Sequence, residues 1–199
     1  MRKISLDKGI AGFLIIIIAI VVLFWIGQRA NLWINGIGII ANDVEDYYYT
    51  AFPVDGEYSV EIDLNDLESN EGKVLFDDGE SEIYVSEVIF RNDNYELHFR
   101  SSGKFDMGGA SLVSAIEHPR TDLGVTTKEI RAKVNGTYNG KTFKLWNASL
   151  SSLNYRDGDS FGYYLIPEEA EIELDLEKES VMMVTVSNLY MNLWAKKSF

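Results

Sequence analysis

Gly9–Gly27 reads G-I-A-G-F-L-I-I-I-I-A-I-V-V-L-F-W-I-G, a run of 19 residues without a charge. As a helix it spans roughly 28 Å at about 1.5 Å per residue, close to the thickness of a bilayer's hydrocarbon core. In lipid every backbone N–H and C=O must pair within its own segment, so such a run has to be helical there. Residues 10–27 are therefore read as a transmembrane helix whose partner is membrane lipid. Arg2, Lys3 and Lys8 precede it, whereas the far flank carries Arg29 and then turns acidic at Asp43, Glu45 and Asp46. The positive-inside rule places the N-terminus in the cytoplasm and the rest outside, as a single-pass protein of the cell membrane. A cleaved secretory signal is the rival. Its apolar core would span only about 7–15 residues before a small-x-small site, and Gly27-Gln28-Arg29-Ala30 does not supply one.

Residues 28–52 form a juxtamembrane stalk. Ile26, Ala30, Trp33, Ile37, Ile40, Val44, Tyr47 and Ala51 recur at alternating spacings of four and three, the period of a helix–helix seam. Trp33, Ile37, Ile40, Val44 and Tyr47 are its candidate contact residues, and the period predicts one helix running to about residue 50. Gly36 and Gly38 weaken it by about 1 kcal/mol each and mark a bend or an unwound turn. The competing reading is an interfacial segment, with Trp33 and Tyr47–Tyr49 at headgroup level.

The period then changes to two. Tyr58, Val60, Ile62 and Leu64 alternate with Glu57, Ser59, Glu61 and Asp63, a strand with one wet face. Lys73–Phe76, Glu82–Arg91 and the alternating Tyr95, Leu97 and Phe99 follow, separated by Asp77-Asp78-Gly79 and Asn92-Asp93-Asn94. Lys128–Tyr138 and Lys141–Leu150 flank Asn139-Gly140, a strong two-residue hairpin signal. Ala170–Leu176 and Val181–Trp194 read as the last strands. Gly108–Glu117, with Leu112, Ala115 and Ile116 at helical spacing and a stop at His118-Pro119, reads as a short inserted helix. The predicted fold is mainly β: an N-terminal transmembrane helix, then an antiparallel β-sandwich-like ectodomain over residues 53–199 with one short helix.

Charge and chemistry narrow the function by exclusion. Four of the 18 basic side chains and one of the 31 acids precede residue 30, which leaves 14 basic against 30 acidic groups, a net of −16. Such a surface repels phosphate, so no nucleic-acid partner is expected. The chain has no cysteine, which removes disulfides, thiolate metal sites and cysteine nucleophiles. No catalytic, metal or cofactor residues are assigned. Ser111 or Ser114 with His118 and Asp122 resembles a hydrolytic set in composition alone, without a nucleophile elbow. His98 should face away from Leu97 and Phe99. Asp157-Gly158-Asp159 and Asp77-Asp78-Gly79-Glu80 read as acidic turns, without the ligand spacing of a calcium loop. Asn135-Gly-Thr and Asn147-Ala-Ser fit the glycosylation pattern.

The opening M-R-K-I-S-L-D-K-G-I-A-G-F-L resembles an archaeal class III signal, the leader of type IV pilin-like proteins and archaellins. Lys8-Gly9 matches the cleavage junction, Ile10 would be the new N-terminus, and Gly12 falls where archaellins often carry glycine. The resemblance covers about the first 50 residues. It departs from the family at Ile10, where glutamine is common, and around Leu14, where bacterial pilin helices carry a glutamate. It implies that residues 1–9 are a leader removed on the cytoplasmic side, and that helices bundle at a filament centre with β-domains outside. Without cleavage, residues 1–9 are a cytoplasmic tail. The expected function is a non-enzymatic cell-surface structural or interaction protein, a pilin-like filament subunit or accessory, with self-association or a cell-surface protein as partner. The alternative is a membrane-anchored extracytoplasmic ligand-binding module that uses loops such as Asp106–Val125.

Overall fold

The computed structural model describes residues 3–121, 124–167 and 172–198. Two helices open the chain, α1 (Lys3–Asn35) and α2 (Ile37–Asn42). The strands follow as β1 (Tyr47–Asp63), β2 (Val74–Asp77), β3 (Glu82–Arg91), β4 (Asn94–Ser102), β5 (Lys104–Asp106), β6 (Gly109–Ser114), β7 (Ile116–Glu117), β8 (Glu129–Ile130), β9 (Lys133–Tyr138), β10 (Lys141–Lys144), β11 (Trp146–Leu150), β12 (Gly158–Tyr164) and β13 (Val181–Lys196).

Residues 10–31 of α1 are all exposed, and Ile10–Asn35 is long and apolar enough to cross a membrane. The helix does not run on to residue 50. It breaks at Gly36, whose φ of +63° and ψ of −146° suit only glycine. A Cβ there would lie 1.6 Å from the Arg156 carbonyl oxygen. The Ile37 N–H donates to that same oxygen at 2.8 Å. After the short α2 the chain is already a strand at Tyr47, so Tyr47–Tyr49 belong to the sheet. Pro53 lies inside β1 opposite Tyr190. It is tolerated because β1 is an edge strand.

β13 organises the first sheet. β1 pairs with it from Tyr47↔Lys196 to Asp63↔Val181, while β9 and β6 share its other edge end to end. β10 and β5 extend that six-stranded sheet, and the second sheet runs β11-β12-β4-β3-β2. One apolar core joins the two sheets. Ile62, Val134, Val184 and Val186 come from the first, and Ile83, Val85, Leu97, Phe99 and Phe161 from the second. Each fully buried side chain of this size contributes about 1.5–3 kcal/mol.

The turns follow residue chemistry. Asn139 and Gly140 take φ of +48° and +75° between Tyr138 and Lys141, the two-residue I′ hairpin expected from Asn-Gly. Asn92 and Asp93, at +52° and +58°, join β3 to β4 in the same way.

Three segments differ from their sequence reading. Gly108–Glu117 is not a helix but β6 and β7. Leu112 packs under α2 while Val113 and Ala115 enter the main core, and burial on both faces imitates helical spacing. The short helix is α2, ahead of the strands. Residues 172–176 carry no strand, and Ala170 and Glu171 lie outside the described residues. The extra strand is instead β12, whose first residues had read as an acidic loop. Lys141–Leu150 is two strands in different sheets, β10 on β9 and β11 on β12.

Candidate functional site

Two constellations of polar side chains are assembled by the fold, one inside the sandwich and one where α2 meets it. The first centres on Asp159 of β12, which is fully buried. Ser114, at the end of β6, donates its hydroxyl to the carboxylate, 2.9 and 2.8 Å from the two oxygens, and accepts the Ile116 N–H at 3.0 Å. His118 Nε2 lies 2.7 Å from Asp159 Oδ2, and its side chain is 1% exposed. Asn192 of β13 stands beside them. Its Oδ1 accepts the His118 N–H and the Tyr49 hydroxyl, each at 2.9 Å, and its Nδ2 donates to the Ile116 carbonyl at 2.9 Å. Burial pushes the Tyr49 phenol well above its ordinary range, so it remains a neutral donor.

A buried carboxylate persists only with partners, and Asp159 has two. The arrangement is not that of a hydrolytic triad. There the hydroxyl bonds the imidazole, which removes its proton. Here serine and histidine both bond the carboxylate, and the group is closed to solvent. Its physical effect is to fasten the β6–β7 corner to the opposite sheet. Ser114 and His118 of the set imagined from sequence do come together, but on Asp159. Ser111 pairs within its sheet opposite Leu193, and Asp122 lies outside the described residues.

The other acidic segments are occupied locally. Asp157 accepts Arg100 Nη2 at 2.6 Å. Asp77 and Asp78 accept the backbone N–H groups of Gly79, Glu80 and Ser81. Among the described residues no group of three or more His, Cys, Asp or Glu converges as a metal site would require. His98 is part-buried on β4, with its Nε2 3.3 Å from Glu96 Oε2. Asn147 donates its amide to the Ser149 and Gly162 carbonyls, whereas Asn135 is exposed on β9.

The second constellation holds α2. Arg120 donates to four carbonyl oxygens, those of Ala41 at 2.9 Å, Ile40 and Asp43 at 3.1 Å, and Tyr47 at 2.5 Å. The Thr126 hydroxyl adds a bond to Ala41 at 2.9 Å. The last turn of a helix leaves its carbonyls without intrahelical donors, and one guanidinium satisfies several here. Burial pulls the Arg120 pKa down from its usual value, opposed by the charge of Asp43. Beneath it Ile37, Ile40, Ala41 and Tyr47 pack against Ala110, Leu112 and Trp194 as a second small core.

The candidate seam residues take different places. Ile37 and Ile40 are 0% and 1% exposed, and with Tyr47 they face this chain's own sheet, not a free helical stripe. Val44 lies at the surface beside Gly124, and Trp33 remains 68% exposed on α1. Of the four-three series, Ile37, Ile40 and Tyr47 are buried against the sandwich, whereas Ile26, Ala30, Trp33 and Val44 are exposed. Lys8, Gly9 and Ile10 lie within α1, with Ile10 exposed. Asn192 and Arg120 drew no attention in the sequence, and Asp159 reads there as part of an acidic turn. The alternation of Phe161 and Tyr163 was the available signal that Asp159 begins a strand. Compared with known proteins, the chain matches no family model, no curated protein and no solved structure.

Proposed function

We propose that this chain is a non-enzymatic, single-pass surface protein that holds a β-sandwich outside the membrane as a structural or interaction subunit of pilin-like type. One observation carries the reading: the membrane-competent helix is joined without a flexible linker to a docked stub. Gly36 packs on the Arg156 carbonyl, and Arg120 clamps the carbonyls that follow. A joint of this kind transmits position and force between helix and domain, which suits display or assembly. Helix–helix contact in an assembly then falls on α1 ahead of Gly36, since Ile37 and Ile40 are already covered. The N-terminal charge bias supports a cytoplasmic N-terminus, and the Lys8-Gly9-Ile10 junction supports leader removal.

The test is N-terminal mass spectrometry of the protein from its native host, combined with cross-linking in whole cells. The expected result is a mature chain beginning at Ile10, recovered in multimers cross-linked through α1. A mature chain that still begins at Met1 and cross-links to no second copy would replace this reading with an anchored ligand-binding module.

A further inference from the structure

A groove of about 690 Å³ separates the outer turns of α1 from the β5–β6 hairpin. Trp25, Ile26 and Trp33 line one wall, and Phe105 and Met107 the other. A hydrocarbon crossing that starts at Ile10 needs about 20 residues and so ends near Arg29. The groove therefore opens at the level where acyl chains give way to headgroups, provided α1 spans a bilayer as proposed above.

Two arginines at this end lie on indole rings. Arg29 stacks its guanidinium 4.1 Å over Trp25, and Arg156 stands 5.4 Å over Trp33. Among the described residues neither guanidinium meets a carboxylate within salt-bridge distance. Lys196 and Lys197 approach the rings of Tyr47 and Tyr48 at the same end of β13. Asp106, at the groove's rim, turns a carboxylate oxygen onto the Gly108 N–H at 2.6 Å. Asp43, Asp46 and Asp106 act on Tyr47 at the same end and Asp157 stands beside Arg156, so the site is marked by the two arginines on the indoles and not by a net positive surface. Indole rings with adjacent cations are the usual furniture of a headgroup layer, where basic groups attract anionic lipid.

We infer that this groove seats one anionic phospholipid. Its phosphate meets Arg29, which lines the groove, with Arg156 beyond Trp33 as the second cation of the headgroup, and one acyl chain runs along Trp25, Ile26 and Met107. The phosphate supplies the countercharge both arginines lack, and the chain covers apolar surface that faces no other part of the protein. A bound lipid would also brace α1 against the hairpin and so fix the tilt of the sandwich on the membrane.

The test uses the full chain reconstituted into nanodiscs of phosphatidylcholine with one-fifth phosphatidylglycerol. Native mass spectrometry then reads which lipid stays bound on release. The expected result is one retained phosphatidylglycerol per chain, its retention reduced about fivefold for each of Arg29→Gln and Arg156→Gln. Both side chains are exposed, and circular dichroism should confirm that the variants stay folded. Millimolar inorganic phosphate should leave the lipid in place. Equal retention of the two lipids, displacement by inorganic phosphate, or undiminished retention in the double variant would overturn the inference. Dimers cross-linked through Cys introduced at Trp33 would do so too, by showing that a second helix fills the groove. A chain that does not enter nanodiscs at all would instead remove the membrane-spanning reading, and the lipid seat with it.

Discussion

Gly36→Ala should be among the most damaging single-methyl changes in this chain. With φ at +63° and ψ at −146°, an alanine pays about 1–3 kcal/mol in backbone strain. Its Cβ would also lie 1.6 Å from the Arg156 carbonyl oxygen, and no rotamer change relieves a clash between two backbones. Separating them breaks the bond from the Ile37 N–H to that oxygen, a further loss of about 1 kcal/mol. The total is about 2–4 kcal/mol. At about 2–4 °C per kcal/mol for a domain of this size, Tm should fall by roughly 5–15 °C. Scanning calorimetry of the full chain in detergent measures it, with Gly12→Ala as control because nothing lies within 4 Å of that position. Amide exchange at Ile37 and Tyr47 distinguishes release of α2 alone from loss of the whole fold. If Gly36→Ala leaves both Tm, to within about 1 °C, and those exchange rates unchanged, the rigid joint is refuted.

Asp159→Asn should destabilise the sandwich by about 3 kcal/mol, since it disrupts the charge-assisted bonds from Ser114 and His118 in a buried site; a denaturation midpoint like that of the parent would contradict this. Gly140→Val should cost more than about 1 kcal/mol, because a β-branched residue resists the φ of +75° that the hairpin needs, and urea titration reads it. Tyr163 is raised by burial above its ordinary phenol value, so its contribution is intact below about pH 10 and is lost as pH climbs further. Its hydroxyl is buried without a hydrogen-bond partner among the described residues, so Tyr163→Phe should leave stability at neutral pH equal or up to about 1 kcal/mol higher. The same variant should flatten the alkaline limb, and thermal melts from pH 8 to 11 decide both points. The full-length protein should remain in the membrane pellet after alkaline carbonate treatment, and its recovery in the supernatant would remove the spanning helix.

What could be read from the sequence was what local chemistry controls. The uncharged run preceding Gln28, the alternation through Ile62, the core-facing Leu97 and Phe99 and the Asn139-Gly140 turn each announce themselves within a few residues. What escaped depends on partners far along the chain. β6 looked helical because Leu112 and Val113 are buried on opposite faces, one by α2 and one by the second sheet. Asp159 looked like a turn acid because its two partners come from residues 114 and 118. Arg120 gives no sign that it gathers four carbonyls across residues 40–47. The four-three spacing runs across α1, α2 and β1, and only its Ile37, Ile40 and Tyr47 positions meet the sheet, a division that periodicity cannot report. The backbone clash that makes Gly36 a break, unlike Gly27, comes from Arg156 and has no trace nearby.

β13 comes last of the strands, yet β1, β6 and β9 all hang on it, and Trp194 supplies the floor on which α2 rests. During synthesis the apolar helix α1 is made well before the strand that completes the sheet. Until β13 is made, β1 has no partner strand, and its pairing is complete only when Lys196 meets Tyr47. The domain thus has a long waiting period with an open edge and an uncovered second core, and truncation before Val181 removes the strand on which β1, β6 and β9 pair.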